Sequence, residues 1–166
     1  MALSKLQYNS INVTPTAGEG IRFNSGANGF ETASAGGSLV KIASTTASSS
    51  ASVSFTSGLT STYKEYIFMF NNIHPATDGA DFTFNFSTDS GSNYNVTKTS
   101  STFQAQHDEA DSEALLQYNT DRDLAQSTSA QRFSLQIGND NDQSVVGTLH
   151  LFDPSNTTFV KHYLAT

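Results

Sequence analysis

Hydrophobic residues recur along most of this chain at every second position, the period of a strand with one buried face. The plainest case is "DFTFNFS", where Phe82, Phe84 and Phe86 point one way and Thr83 and Asn85 the other. "QRFSLQIG" repeats the pattern with Phe133, Leu135 and Ile137. "KEYIFMFNNI" is apolar on both faces, with Tyr66, Phe68 and Phe70 on one and Ile67 and Met69 on the other. Such a strand belongs in the middle of a sandwich or at a subunit contact. "SVVGTLHLF" and "TTFVKHYLA" read as two more strands. "SLVKIAS" reads as a short one, "TTASSSASVSF" as a half-buried one through Ala51, Val53 and Phe55, and "NYNVTKTSSTF" offers Tyr94 and Val96. Turn signals separate these runs roughly every 8–15 residues. About eight or nine short strands at that spacing predict an all-β, two-sheet antiparallel sandwich, jelly-roll-like, over residues 38–166.

One stretch departs from the strand period. In "DEADSEALLQY", Ala110, Ala114, Leu115 and Tyr118 fall near helical spacing, and the acids at its start suit a helix dipole. The expectation is a polar crossover loop carrying a turn or two of helix.

Residues 1–37 differ from the rest. "PTAGEGIRFNSGANGFETASAGG" is rich in Gly, Ala and Ser, with apolar residues too sparse to build a core. A segment of this kind orders most readily by packing on something else. It is read as an extended anchoring arm docked on neighbouring subunits, the other reading being that it wraps its own domain. The side chains expected to make the anchor are Leu3, Leu6, Tyr8, Ile11, Ile21, Phe23 and Phe30.

Composition narrows the function classes. Charged residues are 14% of the 166, against roughly 25% in ordinary soluble proteins. Ser, Thr, Asn and Gly take their place, and twelve Phe and six Tyr supply aromatic burial. The net charge is −7, and the eight basic residues form no cluster. Nucleic-acid binding needs clustered Lys and Arg, so it is set aside. With no cysteine, disulfides and thiolate-bound metals are excluded. The start "MALSKLQYNSINV" has no apolar h-region or cleavage site, so synthesis in a cytoplasm without a secretory signal is expected. No window reaches 18 consecutive apolar residues, so no membrane partner is expected.

The candidate chemistry sits in turns. His74, with Asp78 and Asp81, has the residue types of a metal ligand set or a base. "HPATDGAD" is equally a hairpin loop, with Pro75 fixing φ and Asp78-Gly79 supplying the turn. "STDSGSNYN", with Asp89 and Tyr94, offers a sugar- or calcium-binding loop or a tight hairpin between two strands. His74, Asp78, Asp89 and Tyr94 are therefore the candidate ligand-loop residues. "GNDNDQS" places Asp140 and Asp142 two apart. It fails the EF-hand pattern, which needs a Gly at the sixth position and a Glu at the twelfth. Counted from Asp140, the twelfth residue is Leu151. Asp140 and Asp142 remain only as exposed-carboxylate calcium candidates.

Asp108, Glu109, Asp111, Glu113, Asp121 and Asp123 make the main acidic stretch. Paired-carboxylate hydrolysis needs two such groups held about 5–10 Å apart in a cleft; acids on a polar crossover are read as a solvated face. No nucleophile elbow, P-loop or dinucleotide-binding glycine pattern occurs. His74, His107, His150 and His162 follow no ligand spacing, and the last two are expected to face outward from strands. No catalytic residue and no cofactor are expected.

"TSGLTSTYKEYIFMFNNIHPATDGADFTFNFSTDSGSNYN", Thr56 to Asn95, resembles a β-domain of virion proteins from tailed bacteriophages, especially marine ones. "GTLHLFDPSNTTFVKHY", Gly147 to Tyr163, is similar to the downstream hairpin of that family, and "MALSKLQYNSINVTP" to its leader. These are turn-and-strand motifs, which speak for a fold more than for a task. The resemblance implies a structural protein of the virion: a tail-fibre or appendage subunit, or a capsid decoration protein. It implies other virion subunits as partners through residues 1–37, and a homo-oligomer, with a trimer natural for a fibre or a symmetric lattice point. The family pattern runs a strand or two beyond "VKHYLAT", so either the chain is a shortened form or a neighbour is expected to cover the last sheet edge. The alternative, from a different class, is a carbohydrate-binding module using Tyr94, Tyr118 or Phe152 as flat exposed aromatics, with a host surface glycan as ligand. The two meet in a fibre that binds its host.

Overall fold

The computed structural model describes residue 13 and residues 19–34 and 39–166. The chain divides into two compact units, Met1–Ser44 and Thr45–Thr166. Among the described residues every regular element is a β-strand and every strand pairing is antiparallel. No helix of the described residues is long and apolar enough to cross a membrane.

Among its described residues the first unit holds one hairpin, β1 (Glu19–Phe23) and β2 (Phe30–Ser34). Asn24 organises the connection. Its carbonyl accepts from Ala27 N at 2.9 Å, its amide donates to Gly29 O at 3.0 Å, and its side-chain oxygen accepts from Asn28 N at 3.2 Å. Such local bonds are why Asn favours turns.

The second unit holds β3 (Glu65–Ile73), β4 (Ala80–Phe84), β5 (Phe103–His107), β6 (Ala114–Tyr118), β7 (Gln131–Ile137), β8 (Val145–Phe152) and β9 (His162–Ala165). β3, β8 and β9 form a three-stranded sheet in that order, while β4 pairs with β7 and β5 with β6. The pairs Tyr66↔Leu151, Phe68↔Leu149 and Phe70↔Gly147 put these residues on one face of the sheet. Leu149↔Ala165 and Leu151↔Tyr163 extend that face across β9. The β4–β7 ribbon packs on it as a second layer. Phe70, Phe82 and Phe133 meet edge to face, with ring centroids 5.0–5.5 Å apart. Tyr163 closes a second cluster with Phe84 and Phe86. Tyr66, Ile137, Leu149 and Leu151 are the most deeply buried apolar residues. Burying each such side chain contributes about 1.5–3 kcal/mol.

The architecture is therefore all-β and antiparallel, a sandwich of aromatic layers. The observed strand order does not establish the jelly-roll connectivity. Several expected elements differ. Residues 39–44 and 51–55 form no strand, although the first carries the apolar Leu39, Val40 and Ile42 and the second alternates through Ala51, Val53 and Phe55. Alternation makes a strand only where an edge is available to accept its hydrogen bonds. Phe55 instead packs edge to face on Phe68 from an irregular segment. The "DEADSEALLQY" stretch carries no helix; its second half is β6, paired with β5 from Phe103↔Tyr118 to His107↔Ala114. Asp108 decides this locally. Its carboxylate accepts from Ser112 N at 2.7 Å and Glu113 N at 2.8 Å, and from the Ser112 hydroxyl, closing a turn where a helix was expected. Residues 93–102 contribute only the isolated bridge Lys98↔Ser127, and "TTFVKHYLA" pairs only over β9.

Candidate functional site

Three of the seven residues expected to anchor the chain, Ile21, Phe23 and Phe30, lie in β1 and β2. Cross-strand pairing sets Ile21 opposite Thr32 and Phe23 opposite Phe30, so Ile21, Phe23 and Phe30 share one face. Arg22 and Glu31 lie opposite each other on the other face, with Arg22 Nε donating to Glu31 Oε1 at 3.0 Å. The Phe23 and Phe30 rings stack with centroids 4.9 Å apart, yet they stay 67% and 46% exposed. The hairpin is amphipathic, and its apolar face is open. Leu3, Leu6, Tyr8 and Ile11 lie outside the described residues.

A second open apolar face lies on β5 and β6, where none was expected. Register places Phe103, Ala105, Ala114, Leu116 and Tyr118 on one side of this hairpin, with His107 at its turn end beside Asp111. Phe103 and Leu116 are 73% and 81% exposed, and the Phe103 and Tyr118 rings meet at 5.4 Å. The Tyr118 hydroxyl donates to the Asp123 carboxylate, and this bond holds the phenol above its ordinary pKa. A two-stranded ribbon has little stability alone in water. The sequence signal was the alternation in "FQAQH", masked by an "ALLQY" run too short to separate a period of 2 from one of 3.6.

The four ligand-loop candidates are split between the two ends of β4. His74, Pro75 and Asp78 precede it, whereas Asp89 and Tyr94 follow it. At roughly 3.3 Å per residue, the five-residue strand itself is about 16 Å long, too far for one metal ion to be shared between its ends. His74 Nδ1 lies 2.7 Å from Gln143 O, and Asn139 Nδ2 donates to Ala76 O at 3.4 Å. The "HPATDG" loop joins strands of different sheets and is not the expected hairpin; it is tied to the "GNDNDQS" loop that carries Asp140 and Asp142. That second loop is closed internally, with Gln143 N donating to Asp140 O at 2.9 Å and Asp140 N to Gln143 Oε1 at 3.1 Å. Among the described residues no group of three or more His, Asp or Glu is placed to hold a metal ion.

Asp89 works inside its own turn, which is followed by an isolated bridge at Lys98 and no paired strand, so it closes no hairpin. Its carboxylate accepts from the Ser87 hydroxyl at 2.6 Å, Asn93 Nδ2 at 2.6 Å and Asn93 N at 2.8 Å. These bonds, Ser87 first, hold its pKa down to about 2, from an ordinary 3.8. Hydrogen bonds from Ser112 and Asn156 likewise lower Asp108 and Asp153. A carboxylate whose folded pKa lies below its unfolded one stabilises the fold above the unfolded value and loses that contribution as pH falls through the folded one. The thermal midpoint is therefore expected to hold above about pH 4 and to fall between about pH 4 and pH 2, with a shallower fall in Asp89→Ala. An NMR titration that put the Asp89 carboxyl at or above 3.8 would remove the basis for this.

Tyr94 stays exposed beside this turn; its carbonyl accepts from Asn85 Nδ2 at 2.7 Å. His150 lies on the outer face of β8, 2.6 Å from Glu65 Oε1, and His162 is exposed. No known family model, curated protein or solved structure matches the chain.

Proposed function

We propose that this chain is a structural protein of a tailed-bacteriophage virion, a tail-fibre or appendage subunit or a capsid decoration protein. In this reading residues 1–37 hold it on the particle, the sandwich unit faces outward, and no reaction is catalysed. The observation that carries the reading is the open face of Ile21, Phe23 and Phe30 on a hairpin whose other face is charged. Exposed aromatic faces of this kind mark contact surfaces. The sequence resemblance over Thr56–Asn95 and Gly147–Tyr163 supplies the class of assembly. The second open face, around Phe103 and Leu116, supports a homo-oligomer.

The test is incorporation. The double variant Phe23→Asp, Phe30→Asp places two charges where apolar burial is required. Its amount in purified particles, read by quantitative immunoblot against wild type, is expected to fall at least about ten-fold, equivalent to about 1.4 kcal/mol of binding. Equal incorporation would sink the anchoring role, and wild-type chain found only in the soluble lysate would sink the virion reading itself.

A second reading, glycan binding, rests on the exposed Tyr94 beside the Asp89 turn. A glycan array probed with the full chain checks it, and silence across the array leaves only the structural role.

A further inference from the structure

Lys98 is only 5% exposed, yet none of the ion pairs among the described residues includes it. Its ammonium group reaches two neutral acceptors instead, Asn85 Oδ1 at 2.6 Å and Val96 O at 2.9 Å. A buried cation without a counter-ion needs an explanation, because desolvation disfavours its charged form. Here burial pushes the Lys98 amine below its ordinary pKa.

The other half of the pair is equally constrained. Asn85 Nδ2 donates to Tyr94 O at 2.7 Å and to Thr128 O at 3.1 Å. Asn85 Oδ1 accepts from Phe86 N at 2.9 Å as well as from Lys98. The amide is therefore locked in orientation, and its carbonyl is polarised by two donors. Lys98 is fixed from its own side by paired backbone bonds with Ser127, at 2.8 and 2.9 Å. A desolvated amine held against a polarised carbonyl, with a backbone N–H on the oxygen where charge develops, has the parts of an acyl transfer.

We propose that Lys98 and Asn85 join through an intramolecular isopeptide bond. Lys98 first gives one proton to water, which leaves Nζ neutral with a lone pair; that lone pair forms a bond to Asn85 Cγ, and the carbonyl π pair moves onto Oδ1, where Phe86 N–H holds it. The carbonyl then re-forms, and the Cγ–Nδ2 bond breaks. The leaving nitrogen takes the proton that Nζ gives up and departs as ammonia. One amide replaces another, so the step consumes no oxidant, reductant or further reactant. The product staples the end of β4 to the Lys98↔Ser127 bridge and closes residues 85–98 into a covalent loop. The chain has no cysteine with which to form any other staple. This inference does not depend on the virion reading.

Digestion of the full chain tests it. Lys98 lies between Lys64 and Arg122 with no other Lys or Arg in either interval. Trypsin does not cut after an acylated lysine. The expected result is a single fragment of residues 65–122, one ammonia lighter than its sequence mass, with the intact protein lighter by the same amount. Lys98→Arg and Asn85→Ala should each restore the sequence mass. Fragments 65–98 and 99–122 at their sequence masses, from protein with a folded β spectrum after prolonged incubation at neutral pH, would overturn the proposal. So would loss of ammonia with cleavage after Lys98 intact, because that product is a cyclised Asn85 and not a crosslink.

Discussion

Truncating Leu149 to alanine is expected to cost the Thr45–Thr166 unit about 3–4 kcal/mol of stability. Leu149 is 3% exposed at the centre of β8, the middle strand of the three-stranded sheet. It pairs with Phe68 on one side and Ala165 on the other. Removing its side chain loses the transfer free energy of the buried atoms and leaves a hole that hydrogen-bonded strands on both sides cannot close. Few residues share the deep core with it, and a domain's net stability is only about 5–15 kcal/mol. The loss therefore takes a large share of the total. Urea unfolding should show a lower midpoint with an unchanged slope. A cost below about 1 kcal/mol would mean that β8 is not the buried centre.

Adding an atom two residues away should be nearly as damaging. A Cβ on Gly147 would meet Phe133 Cζ at 2.3 Å, Phe133 Cε1 at 2.6 Å and Thr166 O at 2.6 Å. The ring could turn, but Phe70 and Phe82 pack against it. The Thr166 carbonyl could not move without breaking its bond from Thr148 N at 2.7 Å. Gly147→Ala is thus expected to cost about 3 kcal/mol, the upper end of the overpacking range. Adding Phe133→Leu should recover part of that loss, because the two sites touch and their effects should couple by about 0.5–3 kcal/mol. The rest belongs to the backbone clash and should persist. A Gly147→Ala protein within about 0.5 kcal/mol of wild type would show that β8 and β9 do not approach in this way.

Both arguments rest on strands that alternation made legible. "DFTFNFS", "QRFSLQIG", "KEYIFMFNNI" and "SVVGTLHLF" each form a strand at or near the expected residues, with Phe82, Phe84, Phe133, Leu135 and Ile137 turned inward as expected, whereas β3 buries one face and leaves Met69 of the other exposed. Alternation worked there because each run found a hydrogen-bonding neighbour and a facing layer. It misled at 39–44 and 51–55, where the same period meets no partner strand. It is hidden at β6, where a short apolar run follows the turn that Asp108 closes. The candidate site was less legible. Residue types marked His74, Asp78, Asp89 and Tyr94 as a group, but only β4 shows that they sit at opposite ends of a strand. Nothing in the sequence drew attention to Asn85, which was expected to point outward, or to Lys98.

By itself the sequence determined the fold class, the inward face of the main strands and the turns, because these follow from local period and from the dihedral preferences of Gly, Asp, Asn and Pro. Which strands pair, which apolar faces stay open and which polar groups are buried together depend instead on the assembled fold. Lys98 meets Asn85 because a bridge to Ser127 carries it inward. Phe103 and Leu116 stay open because their hairpin is a separate ribbon, outside both layers of the sandwich. Contacts of that kind depend on non-local packing, and a local pattern carries no information about its distant neighbours.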